Sequence, residues 1–131
     1  HVSWRKLMAY SDTIKYAVGD TKPVITVTVK DSNTAETGFT LDAQNPATWD
    51  VISIASSTVR LFLRKAGSTT LSATLTGGSP SSDGTVTFTP ATSTFATAGT
   101  YEGEIEVTYD DGTVMTIHDL LKFNVRDEFD G

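Results

Sequence analysis

Residues 101–113 read YEGEIEVTYDDGT, and this stretch decides the fold. Tyr101, Gly103, Ile105, Val107 and Tyr109 fall on one side of an extended chain, and Glu102, Glu104 and Glu106 on the other. Successive side chains of a strand point to opposite faces, so a period of two predicts a half-buried β-strand. Asp110-Asp111-Gly112-Thr113 closes it as a hairpin signal, because Asp-Gly supplies the positive φ that a tight turn requires. Val114 to His118 reads as the returning strand.

The same alternation recurs on either side. Ile25, Val27 and Val29 oppose Thr26, Thr28 and Lys30 in a strand opened by Pro23. Val59, Leu61 and Leu63 oppose Arg60, Phe62 and Arg64. Leu71, Ala73 and Leu75 form another apolar face, Val86 and Phe88 another before Pro90, and Leu121, Phe123 and Val125 the last. Ile14 to Val18 is a short β-like run followed by a Gly19-Asp20-Thr21 turn, and Phe95 anchors the connector from Thr92 to Ala98. Asp31 to Ser57 is the least regular segment. A short strand or hairpin around Phe39–Leu41 and a packed Trp49 are expected there, an exposed functional loop being the alternative. The chain holds 23 Thr and 12 Ser against 5 Glu and 6 Lys, a bias toward pleated surface and away from helix interiors. About eight short strands, with turn signals roughly every 8–12 residues, make an all-β, antiparallel β-sandwich.

At 131 residues and 14.0 kDa the chain is long enough for one domain with its own core. The first seven residues, His1 to Leu7, differ from the rest and are set apart as a leader or flexible N-terminus. Met8 is the expected natural start, and residues 8–131 form the single domain. A net charge of −6 argues against a phosphate-binding nucleic-acid partner and against an anionic membrane. No cysteine is present, so there is no disulfide frame and no thiol nucleophile. No run approaches the ~18 apolar residues of a membrane helix, and no charged-then-apolar leader precedes a cleavage site.

Few residues invite chemistry. Glu102, Glu104 and Glu106 form a carboxylate ladder with a spacing of roughly 6.6 Å. It is read first as a solvated strand face and second as the partner of Arg60 and Arg64 on a neighbouring strand. A catalytic or metal role comes third, since a flat ladder offers neither cleft nor raised-pKa acid. His118 is the one internal histidine, too few for a zinc site or a Ser-His-Asp set. Asp31-Ser32-Asn33 and Asp110-Asp111 are fragments of calcium loops without the glycine and distal glutamate of a full one. No phosphate-binding glycine loop occurs. Trp49, Phe62, Tyr101 and Tyr109 are candidates for a sugar platform, though alternation places the tyrosines in or near the core. Phe62 points outward between two arginines, which suits a protein interface. The expectation is therefore no catalytic residue, no cofactor and no metal, with Arg60, Phe62, Arg64 and Trp49 as candidate contacts.

Several segments together carry a resemblance. Gly19-Asp20-Thr21 before an alternating strand is the first, followed by the run from Val59 to Arg64. Ala98-Gly99-Thr100-Tyr101-Glu102-Gly103-Glu104, the Tyr109–Thr113 hairpin and the closing Leu121–Arg126 run complete the set. In this order they resemble the Ig-like N-terminal domain of phage baseplate upper proteins and its stand-alone relatives, over about Ile14 to Val125. The Asp31–Ser57 segment is longer than the family's usual short link. The resemblance implies an Ig-like, non-enzymatic structural component of a tailed-phage virion, in the tail or baseplate, forming a homo-oligomer in assembly and touching other virion proteins. It carries no catalytic residue onto this chain. Larger members continue into a receptor-side region, so a chain ending at Gly131 is expected to act as an adaptor. Decoration of the phage head surface and a carbohydrate-binding surface module are the alternatives.

Overall fold

A computed structural model describes residues 5–7, 13–42, 44–117 and 120–129. Ten strands are assigned among them: β1 (Arg5–Leu7), β2 (Ile14–Ala17), β3 (Ile25–Ala35), β4 (Trp49–Val51), β5 (Thr58–Lys65), β6 (Ala73–Thr76), β7 (Thr85–Phe88), β8 (Gly99–Thr108), β9 (Val114–Thr116) and β10 (Leu121–Arg126). The one helical turn is 3-10, at Pro46–Thr48. Among the described residues no helix is long and apolar enough to cross a membrane.

Two sheets face each other as a β-sandwich. The larger runs β2-β10-β8-β5-β6, with β9 pairing the far end of β8; the smaller is built on β3, which pairs β1, β4 and β7. β3 is long enough to serve two partners along one edge. Ile25–Thr28 pair with β7, and Lys30 onward pairs with β4. The handover lies at Val29, whose amide donates to the Gly84 carbonyl and whose carbonyl accepts from the Ile52 amide. All pairings are antiparallel but one: β2 lies parallel to β10, with Tyr16 beside Val125. β1 lies inside the seven-residue stretch set apart above, with Leu7 opposite Val29.

The irregular segment resolves differently from expectation. Phe39–Leu41 form no strand; the Phe39 amide bonds to the Glu36 carbonyl in a turn where Gly38 has φ +90°. The extended pieces are instead the far end of β3 and β4, with Ala35 opposite Trp49 across an irregular register. Lys30, assigned by alternation to the open face, is buried, with β1 and β4 on either side of its strand.

Alternation dictates the core. Ile25, Val27, Val29, Val86 and Phe88 from the smaller sheet meet Val59, Leu61, Leu63, Tyr101, Ile105, Val107, Leu121, Phe123 and Val125 from the larger. Each large side chain so buried contributes about 1.5–3 kcal/mol relative to exposure. Phe95, from the connector before β8, closes one end: its ring stacks on Tyr16 at 4.8 Å, meets Tyr101 edge-on at 5.4 Å and lies tilted against Phe123 at 5.4 Å. Tyr101 keeps its hydroxyl satisfied by donating to the Thr97 carbonyl at 2.6 Å, four residues upstream. This has the form of the tyrosine corner of Ig-type sandwiches. Gly103 makes room in the same layer, because a Cβ there would sit 2.8 Å from Leu61 Cδ1 and 3.1 Å from Phe123 Cε1.

Two changes test this packing. Tyr101→Phe removes the bond to Thr97 while keeping the ring, and should cost about 1 kcal/mol in denaturant unfolding; no loss would show the corner to be idle. Gly84 and Gly112 both have positive φ, but a Cβ at Gly84 would meet the Val29 and Ile52 carbonyl oxygens at 2.7 and 2.9 Å, whereas Gly112 faces open space. Gly112→Ala should therefore cost about 1–2 kcal/mol for φ alone, and Gly84→Ala a further ~1–3 kcal/mol for crowding. Equal losses would contradict the close approach at the β3 edge.

Candidate functional site

The register of β5 against β8 builds the outer face of the larger sheet. Arg60 lies opposite Glu106, Phe62 opposite Glu104 and Arg64 opposite Glu102. Arg64 Nε approaches Glu102 Oε1 at 3.6 Å. Both side chains are partly exposed, so the pair contributes at most about 1 kcal/mol and mainly fixes register. On the other side of β8, Lys122 lies opposite Glu102 and Thr116 opposite Glu106. The carboxylate ladder thus stands between flanking strands that carry its counter-charges.

Phe62 is half-buried on this face. With Leu71 from the β5–β6 connection and Leu120 ahead of β10 it rims a shallow pocket of about 90 Å³, completed by Arg64, Glu102, Gly103 and Glu104. Leu71 is 52% and Leu120 37% exposed, so the rim offers apolar surface to solvent. Alternation sets Leu71 on one apolar face with Ala73 and Leu75, but it precedes β6 and is exposed, and Leu120 precedes β10; only the tertiary fold gathers both with Phe62.

Trp49 is placed otherwise. Its side chain is wholly buried, and its indole N–H donates to the Asp42 carbonyl at 2.9 Å. The ring is therefore the packed Trp49 expected in the irregular segment, and being buried it offers no exposed contact surface, which corrects its place among the candidate contacts. The exposed apolar residues of that connection are Phe39 and Leu41. The four aromatics considered for a sugar platform are not gathered: Trp49 belongs to the smaller sheet, Tyr101 to the core, Phe62 to the outer face, and Tyr109 bonds weakly to the Ser53 carbonyl at 3.4 Å.

The remaining candidates serve local structure. Asp31 Oδ2 accepts from the Thr34 hydroxyl at 3.1 Å within β3. Asp111 Oδ1 accepts from the Thr113 hydroxyl at 2.6 Å and amide at 2.9 Å, which holds its carboxyl below the ordinary value of 3.8. Among the described residues no three His, Asp or Glu side chains gather as a metal would require. His118 lies outside the described residues. A second, open groove of about 460 Å³ between β2 and β10 is lined by Lys15, Asp20, Asn124 and Arg126 among others. Two of its charges are committed locally: Asp20 accepts from the Ala17 amide, and Arg126 donates to the Asp127 carbonyl and lies over the Phe129 ring.

The two facing sheets define a largely antiparallel β-sandwich with an aromatic, Phe62, on the outer face of the larger sheet. The chain belongs to the BppU N-terminal domain family, the N-terminal domain of phage baseplate upper proteins, whose pattern matches residues 9–130. Its role is accordingly a structural one in the phage baseplate, among other virion proteins. No curated protein sequence matches it. Among solved structures, CopC from Methylosinus trichosporium OB3b is similar at 12% identity and a TM-score of 0.44, over 97% of this chain and 96% of that one.

The Asp111 contact gives a pH test. A depressed folded-state pKa stabilises the hairpin above 3.8, and that contribution disappears as the pH falls through the lower folded value. In an NMR titration the Thr113 amide should shift with a midpoint below 3.8; a midpoint at or above it would contradict the bond.

Proposed function

We propose that this chain is a non-enzymatic adaptor in the phage tail or baseplate, present in several copies, which docks on other virion proteins through the outer face of its larger sheet. The observation that carries this reading is Phe62. It is an aromatic side chain on the outer face of a β-sheet, held between Arg60 and Arg64 and rimmed by Leu71 and Leu120. Aromatic and arginine side chains are enriched where interfaces concentrate their energy, aromatics because they bury much area with few frozen torsions and arginine because its planar guanidinium presents several donors at once. The exposed Phe39 and Leu41, beside buried Trp49, form a secondary contact. Mechanism here is adhesion: burial of the apolar rim supplies affinity, and the charge pattern across β5, β8 and β10 supplies register and selectivity.

The carbohydrate-module reading draws no support from a stacking platform, since the aromatics are dispersed. Glycan-array binding by the purified chain would restore it.

The test is incorporation. Phe62 touches the core little, so Phe62→Ala should unfold within about 1 kcal/mol of the parent. Phage assembled with it should carry several-fold less of the chain than phage assembled with the parent, measured by quantitative immunoblot of purified virions. A well-folded Phe62→Ala protein incorporated at the parent level would remove this face from the assembly.

A further inference from the structure

The three carboxylates of β8 are not equivalent. Glu102 stands between Arg64 and Lys122, and Glu106 between Arg60 and Thr116. Glu104 stands opposite Phe62 on one side. On the other, Leu121 pairs with Gly103, and continuing that register by one residue sets Leu120 beside Glu104. An exposed carboxylate is thus held between two apolar side chains, and Leu71 joins them around the same pocket. Among the described residues the Glu104 carboxylate makes no hydrogen bond or ion pair.

We propose that this pocket receives a single lysine or arginine side chain from a different virion protein, with its charge on Glu104 and its stem against Phe62, Leu71 and Leu120. The inference rests on the docking face described above and specifies what meets it. At about 90 Å³ the pocket suits one side chain and falls well short of the roughly 300–1,000 Å³ of small-molecule sites. Long basic side chains combine an apolar stem with a charged end, which matches the apolar Phe62, Leu71 and Leu120 beside the Glu104 carboxylate, the pocket's other two charges, Arg64 and Glu102, being paired with each other. A cation near Phe62 also gains attraction from the ring face. A neutral apolar side chain would bury Glu104 without a counter-charge, and an acidic one would repel it, so the site discriminates by charge. A different protein is favoured over a second copy because each copy carries a net charge of −6 and two copies repel.

An amide NMR titration of the isolated chain tests this with three probes: N-acetyl-arginine amide, N-acetyl-lysine amide and the uncharged N-acetyl-norleucine amide. The two cationic probes should give saturable shifts at Phe62, Gly103 and Glu104, about tenfold tighter than the norleucine probe. Glu104→Gln should remove that preference, and Glu102→Gln should leave it in place. Equal binding of charged and uncharged probes, absence of saturable shifts, or an unchanged preference in Glu104→Gln would each overturn the proposal. If Phe62→Ala is excluded from virions yet the probes show no charge preference, the docking face stands and the basic occupant fails. If Phe62→Ala is incorporated normally, the face itself fails.

Discussion

Burial of Tyr101, Gly103, Ile105 and Val107 on the inner side of β8 is the constraint from which the rest follows. A strand cannot turn one residue inward without turning its neighbours outward. Fixing these four against the opposite sheet therefore fixes Glu102, Glu104 and Glu106 on the exterior. A slip of one residue would exchange the two sets and place three carboxylates in the core, so the register is strongly specified. The Tyr101 hydroxyl on Thr97 and the close packing of Leu61, Leu63 and Phe123 over Gly103 pin the start of the strand. The pairing with β5 then carries Phe62 and its arginines to their places beside the carboxylates.

The inner and outer faces divide the work. Inside, aliphatic layers and the Tyr16–Phe95–Tyr101–Phe123 cluster supply stability without needing disulfides or metal. Outside, the same strands present a patterned surface in which two carboxylates have cationic neighbours and one has apolar neighbours. A surface of this kind gains little for the isolated fold, since exposed pairs contribute at most about 1 kcal/mol each. The recognition proposed for it would suit a structural component of a phage baseplate.

Alternation made most strands legible, and the outward position of Phe62 with them, because it depends only on local sequence. What escaped depends on partners distant in the chain. The extension of β3 to Ala35 was hidden because Asp31, Ser32, Asn33 and Thr34 lack apolar alternation and are held by pairing with β4 and by local bonds. The parallel β2–β10 pair joins the two ends of the domain and leaves no turn signal. Trp49 read equally as contact or packing, and the Asp42 carbonyl that receives its indole N–H decides for packing. The Arg64–Glu102 contact was anticipated as one option, but the difference between Glu104 and its neighbours required the full cross-strand register.

In the proposed docking, the outer face of the larger sheet is the surface that holds the chain in the particle. Electron cryomicroscopy of the intact virion observes that surface directly. The map should place this domain in the tail or baseplate with density from a neighbouring protein covering Phe62, Leu71 and Leu120. A map in which that face is open to solvent while the domain is held by other surfaces would contradict it.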